Sequence, residues 1–435
     1  MSSALVSLVL ISAAAVLAPL GAESLRRLRV PAVVLEIGLG IVIGPQVLGL
    51  AETGDLVQAF ANLGLCFLMF LAGFDIDLDR VKGTPLTRAA LGWAMSLVLG
   101  FGLAFVLVSS GFALSSLLIG LALTTTALGT LLPMLRDSGV AETRIGAFVL
   151  AIGSVGEFGP IVAIALLLTS DSPVRTSLLL VAFIVLAVVA ALLAARPTPP
   201  RVVALLSKHL NSSSQLPVRI SVLAVILLVW VASELGLDVL LGAFTAGVVV
   251  RLFSQGADRP VVLSKLEAIG FGFVIPVFFI VSGMTFDLEA LTSDPTTLVR
   301  LPVFLALFLV VRGLPALLVY RDLPLRERGA LAFFSATALP LVVVITGIGT
   351  ATERMLPVNA AALVGAGMAS VLVYPLAAFG LLSSRALAHD VGDGDGRDAP
   401  DDTGEGGAGE ELPSRELTVE PERGSGEIED DAVDD

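Results

Sequence analysis

The sequence predicts an all-α polytopic membrane protein of about thirteen transmembrane helices, built as two inverted six-helix repeats joined by a linker helix. Three observations carry that prediction: a composition too apolar for a soluble domain, basic residues confined to alternate connections, and motifs that recur at one offset. Of 435 residues, 56% are hydrophobic and 15% charged, and the mean hydropathy is +0.94. Soluble domains run nearer half apolar and a quarter charged. The formal net charge of −13 belongs to the end of the chain. From Asp390 onward there are 18 acids against 3 arginines, leaving 23 basic and 21 acidic residues before it. That near balance excludes a nucleic-acid-binding surface. One cysteine, Cys66, and two histidines, His209 and His389, exclude a disulfide framework and a thiolate or histidine-rich metal site. Neither a cofactor nor enzymatic chemistry is expected.

A membrane helix needs about 20 mostly apolar residues to cross roughly 30 Å of hydrocarbon. Such runs fall near 4–22, 31–50, 56–76, 87–109, 112–135, 144–169, 175–195, 218–235, 237–253, 267–288, 298–320, 327–348 and 357–381. The first has no basic residue before it and Arg26, Arg27 and Arg29 after it. That is the wrong flank for a cleaved signal peptide, so it reads as a retained span. With the N-terminus outside, the inner connections carry 18 Lys and Arg residues and the outer ones only Arg175, Arg300 and Arg354. Cytoplasmic connections attract basic residues, so the N-terminus is expected outside and the C-terminus inside. Residues 1–388 form the membrane domain. Residues 389–435 form an acidic cytoplasmic tail, too polar and too charged to bury a core. Its Asp393-Gly394-Asp395-Gly396 run is not a calcium loop, because Arg397 and Gly404 fall where the fifth and twelfth ligands belong.

The two halves repeat. Span 3 carries Gly73, Asp77, Leu78 and Asp79, and span 10 carries Gly283, Asp287, Leu288 and Glu289 in the same order, at an offset of 210. Thr124-Thr125-Thr126-Ala127-Leu128 in span 5 matches Ser335-Ala336-Thr337-Ala338-Leu339 in span 12. Glu36 to Gly40 in span 2 matches Ala243 to Gly247 in span 9, and mid-helix prolines Pro160 and Pro375 match in spans 6 and 13. Each pair lies seven spans apart. An odd separation inverts one half relative to the other, with span 7 as linker. Inverted repeats mark secondary transporters, whose sites lie near the midplane at discontinuous helices. Spans 5 and 12 are the candidates for such breaks: Thr and Ser interrupt them, and Pro133 and Pro340 remove backbone donors. Freed carbonyls and hydroxyls there face a cation inside a protein-lined cavity.

Ionisable groups at membrane depth are costly and functional by default. Glu157 lies 13 residues past Arg144, about 20 Å deep at helical rise. Arg312 lies nine residues before Arg321, about 14 Å deep. Glu36 is shallower and reads as a packing or gating residue. Asp75, Asp77 and Asp79 sit beside Arg80 and Lys82 and read as interfacial. A lone buried carboxylate takes either a proton or a metal cation, but not both. Exposed to the two sides of a membrane in turn, it makes an exchanger.

The stretches Pro31–Leu50, Leu65–Val81, Thr124–Gly139, Gly242–Gly247, Pro276–Leu288 and Ala338–Pro375 resemble the monovalent cation:proton antiporter family, which includes bacterial sodium/proton and potassium/proton exchangers. They run in order across essentially all of residues 1–385. The resemblance implies exchange of protons for sodium or potassium across the cell membrane. It also implies a core of crossed, partly unwound helices, here spans 5 and 12, moving against a scaffold that forms a homodimer. The family usually places Asp-Asp or Asn-Asp in the sixth span, where Gly156-Glu157 stands here, and its frequent lysine in the eleventh span falls on Arg312. Thr126 sits at the family's unwound-helix threonine, and Ala127 replaces a polar neighbour of some relatives. The expected ion- and proton-binding set is therefore Glu157, Ser154, Thr125, Thr126, Ala127 and Thr337, with Arg312 as charge partner and Glu36 as a secondary carboxylate. A single titratable carboxylate beside an arginine that stays charged implies electroneutral one-for-one exchange. No nucleotide-binding pattern follows the membrane part, so gating of that kind is not expected. Two other classes fit the architecture: a sodium-coupled organic-anion symporter, and a non-transporting membrane sensor that lost its ion site.

Overall fold

Each expected span except the seventh coincides with helix in the computed structural model, which describes residues 2–25, 30–75, 83–111, 115–167, 178–179, 181–183, 185, 189, 214–254, 259–292 and 298–382. The linker span at 175–195 lies mostly outside those residues, and the acidic tail wholly so. The first half comprises α1 (Ser2–Ser24), α2 (Ala32–Ile43), α3 (Asp55–Asp75), α4 (Thr84–Ser109), a broken span formed by α5 (Ser116–Leu123) and α6 (Leu128–Asp137), and α7 (Arg144–Leu167). The second comprises α8 (Leu216–Glu234), α9 (Val239–Phe253), α10 (Arg259–Met284) and α11 (Arg300–Val319). It ends with a second broken span, α12 (Leu325–Ala336) and α13 (Pro340–Ala351), and α14 (Pro357–Leu381). Among the described residues, ten helices are long and apolar enough to cross a bilayer when each broken span counts as one, and α2 and α9 are apolar but shorter. The protein is a multi-pass membrane protein.

Local sequence explains where these helices depart from regularity. Helix α2 stops well short of Leu50. Gly44 turns extended, with φ −69° and ψ 173°, because a residue before proline, here Pro45, is disfavoured in helix. The chain then folds back, with the Leu50 and Ala51 amides donating to the Ile43 carbonyl. Helices α10 and α11 each contain five residues of wider π-helix, Gly270–Val274 and Leu309–Gly313. Both precede a proline, Pro276 and Pro315, whose missing N–H loosens the ladder.

Packing sorts the helices into two bundles. Helices α1, α2, α3, α8, α9 and α10 pack on one another, as do α4 to α7 with α11 to α14, and contacts between the two sets are sparse. The first bundle is held by backbone approaches that only glycine permits. A Cβ on Gly40 would lie 2.0 Å from the Ile280 carbonyl oxygen, and one on Gly283 would lie 2.1 Å from that of Ile37. A Cβ on Gly73 would lie 2.1 Å from the Phe244 oxygen, and one on Gly247 2.0 Å from the Phe70 oxygen. The α2–α10 crossing thus uses Gly40 and Gly283, and the α9–α3 crossing uses their repeat mates Gly247 and Gly73. The internal repeat is therefore a packing symmetry as well as a sequence pattern.

Between the bundles the surface is largely apolar, with Phe158 of α7 stacked on Phe244 of α9 at 4.9 Å. At one end they are bridged by charge. Arg136, closing α6, donates to Asp75 at the end of α3 (2.9 Å) and to Glu267 near the start of α10 (2.8 Å).

Candidate functional site

Helix α5 ends where its threonines turn their hydroxyls inward. Thr124 and Thr125 donate to the carbonyls of Leu121 and Ala122, both at 2.8 Å. Residues 125–127 are not helical, and neither are 337–339 in the second broken span. An unwound backbone inside a membrane protein must find partners elsewhere. Here the breaks supply them to each other: the Ala127 amide donates to the Thr337 carbonyl at 2.8 Å, and the Thr126 amide to the Gly156 carbonyl of α7 at 3.0 Å. The Thr126 hydroxyl donates to the Ser335 carbonyl at 2.6 Å. On the far side, Ser370 of α14 accepts from the Ala338 amide at 3.0 Å and donates to the Ala338 carbonyl at 2.9 Å. The two broken spans thus meet at their breaks, as expected.

Glu157 stands beside this crossing. It is 1% exposed, and neither carboxylate oxygen has a hydrogen-bond partner among the described residues. The backbone amides of Leu128 and Gly129, which open α6, act on it electrostatically. Helix N-termini present unpaired N–H groups and a partial positive charge, which suits a carboxylate.

The expected charge pairing of Arg312 with Glu157 is absent. Arg312 is 3% exposed, and its guanidinium donates to other acceptors. Nε and Nη2 donate to the Thr126 hydroxyl at 2.9 and 2.7 Å, Nη1 to Ser96 of α4 at 3.2 Å, and Nη2 also to the Ile152 carbonyl at 3.3 Å. Nε further reaches the Ser335 carbonyl at 3.3 Å, while Ser335 returns a bond to the Arg312 carbonyl at 3.0 Å. The physical reason lies at Gly156. A Cβ there would sit 2.5 Å from Nη2 and 2.6 Å from the Thr126 hydroxyl oxygen. The missing side chain makes room for the guanidinium, and the freed backbone carbonyls draw it to the crossing.

The other expected residues divide. Thr126 donates once and accepts twice, so its hydroxyl has no capacity left and serves to hold Arg312. Ala127 contributes its backbone. Thr337 contributes its carbonyl, while its hydroxyl donates to Phe333 at 3.2 Å. The Thr125 hydroxyl donates back to the Ala122 carbonyl of α5, and that of Ser154 to Leu150 of α7 at 2.7 Å, which leaves their oxygens able to accept. Glu36 is buried in α2, in the other bundle, and makes no hydrogen bond or ion pair among the described residues. Ser96 and Ser370 were missed. Each is a serine flanked by apolar residues in its helix, a signal that cannot be told from an ordinary hydroxyl bonding its own backbone.

The profile described as "Sodium/hydrogen exchanger, transmembrane" matches residues 12–383. The Bacillus subtilis protein YjbQ is 29% identical over 74% of this chain and 54% of its own length. Cation/H(+) antiporter 18 of Arabidopsis thaliana is 26% identical over 75% of this chain and 42% of its own. The chain thus spans about half the length of these curated relatives. The structure of the sodium proton antiporter MjNhaP1 from Methanocaldococcus jannaschii superposes with a TM-score of 0.61 at 17% identity, over 87% of this chain and 99% of that one. That likeness shows the fold. With the profile spanning nearly all the membrane helices, the chain belongs to the sodium/hydrogen exchanger family.

Proposed function

We propose that the protein is a secondary active antiporter, exchanging protons for a monovalent cation, sodium or potassium, across the cell membrane by alternating access. The observation that carries this reading is Glu157, a fully buried carboxylate whose oxygens have no hydrogen-bond partner among the described residues, at the meeting point of two broken helices. An unpaired charge there is costly, so the group is stable only with a proton on it or a cation beside it. Two mutually exclusive occupants of one site couple two gradients. The oxygens of Thr125 and Ser154 and the backbone at the breaks complete the coordination. One carboxylate exchanges one proton for one cation, so no net charge moves. The protein performs no covalent chemistry and needs no cofactor. It works as a homodimer, with its N-terminus outside and its acidic tail in the cytoplasm. An organic-anion symporter is disfavoured because the cation at the crossing, Arg312, already donates to Thr126, Ser96 and the Ile152 and Ser335 carbonyls.

Exchange is tested in proteoliposomes by following dissipation of a preset pH gradient when sodium or potassium is added. Wild-type protein should respond to at least one of the two. Glu157→Gln, which keeps the shape and removes the charge, should abolish the response while the protein stays folded, and Glu157→Asp should retain part of it. Wild-type exchange by folded Glu157→Gln would overturn the assignment.

A further inference from the structure

Besides the Glu157 oxygens, two polar side-chain atoms are buried without a hydrogen-bond partner among the described residues. They are Trp93 Nε1, in α4, and the hydroxyl of Tyr320, just past α11. Both residues line one cavity of about 10 Å³, together with Arg88, Arg312 and Ser335. Helix α7 makes room for this group with two glycines three residues apart, which share a face. The Arg312 guanidinium fills the space at Gly156, and the Trp93 indole fills that at Gly159. A Cβ on Gly159 would lie 2.5 Å from Cζ2 and 2.6 Å from Cε2, the ring carbon bonded to Nε1. The Tyr320 ring packs edge-on against Phe148 of α7, with centroids 5.0 Å apart. Arg88 lies over the same ring at 5.7 Å and donates to Asp322 at 2.7 Å. Packing on every side thus fixes the two orphaned groups in place.

The lining is complementary in hydrogen bonding. An indole N–H only donates, and a phenolic hydroxyl without an acceptor has its proton to give. The Ser335 hydroxyl is the opposite case. Its one proton is shared between the Arg312 carbonyl at 3.0 Å and the Ala332 carbonyl at 2.9 Å, so its lone pairs are open. Leaving buried donors unpaired is costly, and a cavity of this size is about the least that holds one water. We propose that the cavity binds a single water molecule, which accepts from Trp93 Nε1 and the Tyr320 hydroxyl and donates to the Ser335 oxygen. Three bonds are usual for a buried water. Trp93 and Tyr320 are then positioning residues for the crossing. Through the water they hold Ser335, whose carbonyl accepts from Thr126 at 2.6 Å and from Arg312 Nε at 3.3 Å. The water site stands independently of the proposed exchange.

The test exploits the rarity of these rings. The chain has two tryptophans and two tyrosines, so Trp230→Phe with Tyr374→Phe leaves Trp93 and Tyr320 as its only probes. Ultraviolet resonance Raman spectra of that full-length protein should show a hydrogen-bonded indole N–H and a phenolic hydroxyl acting as donor. An experimental density map should show one water within hydrogen-bond distance of Trp93 Nε1, the Tyr320 hydroxyl and the Ser335 hydroxyl. The positioning role is read from thermal unfolding in detergent. Tyr320→Phe should lower the unfolding temperature by a few degrees, and by less than half as much in the Ser335→Ala background, because the bridge is already broken there. An unbonded indole signal, a direct contact between the two rings' polar atoms with no water, or a chloride ion in the density would overturn the water site. Strict additivity of Tyr320→Phe and Ser335→Ala would overturn the positioning role.

Discussion

At the scale of single residues, the site turns on two neighbours in α7. Glu157 is a buried carboxyl group with no hydrogen-bond partner among the described residues, and Gly156 carries no side chain at all. The empty volume at Gly156 is filled by a guanidinium that binds Thr126, Ser96 and two carbonyls, so Arg312 fastens the crossing to α4 and α7. Arg312→Ala should accordingly lower stability by about 1.5–3 kcal/mol, the range for hydrogen bonds to charged groups. Gly156→Ala forces a methyl group against Nη2 and should also destabilise. If the guanidinium is the obstacle, Gly156→Ala costs less in the Arg312→Ala background than alone. A double-mutant cycle of thermal unfolding in detergent measures this coupling, expected at about 1 kcal/mol. Strict additivity would mean that Arg312 and Gly156 do not touch.

At the scale of elements, the first bundle depends on four glycines at two crossings related by the repeat. A methyl group at Gly40 or Gly247 would lie about 2 Å from a backbone oxygen, which neither helix can relieve without separating. Gly40→Ala and Gly247→Ala should each destabilise by about 1–3 kcal/mol, the usual cost of overpacking. Gly38→Ala on the same α2 is the control, because a Cβ there meets nothing within 4 Å. Thermal unfolding should separate the three variants, with Gly38→Ala unchanged or slightly more stable. Equal behaviour at Gly38 and Gly40 would contradict the close crossing. Breaks and bulges follow local rules as well. A proline follows closely on the end of α2, both π segments and the second break, whereas Pro133 lies inside α6. One backbone bond, from the Ala127 amide to the Thr337 carbonyl, joins the two unwound strips.

At the scale of the whole molecule, the asymmetry of α10 stands out. Its first turns are tied to the second bundle through Glu267 and Arg136, and its last turn lines an open cavity. One end is bridged and the other accessible, the arrangement an alternating-access carrier requires in one of its states. Much of this was legible in the sequence because bilayer physics leaves few options. Span length and the repeated Gly, Thr/Ser and Pro positions derive from periodicity and transfer cost. The partner of Arg312 was not legible, because burial depth says nothing about which acceptor a long side chain reaches. The early end of α2 was signalled by Gly44-Pro45 but masked by the apolar run beyond it. Ser370 and the cavity at the end of α10 depend on helices far apart in sequence, which no local pattern records.

The central claim is that Glu157 binds a proton or a cation, never both. The direct measurement adds sodium or potassium to the purified protein in weakly buffered detergent solution and counts protons released against cations bound. About one proton per cation is expected from the wild type, with neither binding nor release from Glu157→Gln. Cation binding without proton release, or undiminished release from Glu157→Gln, would contradict the claim.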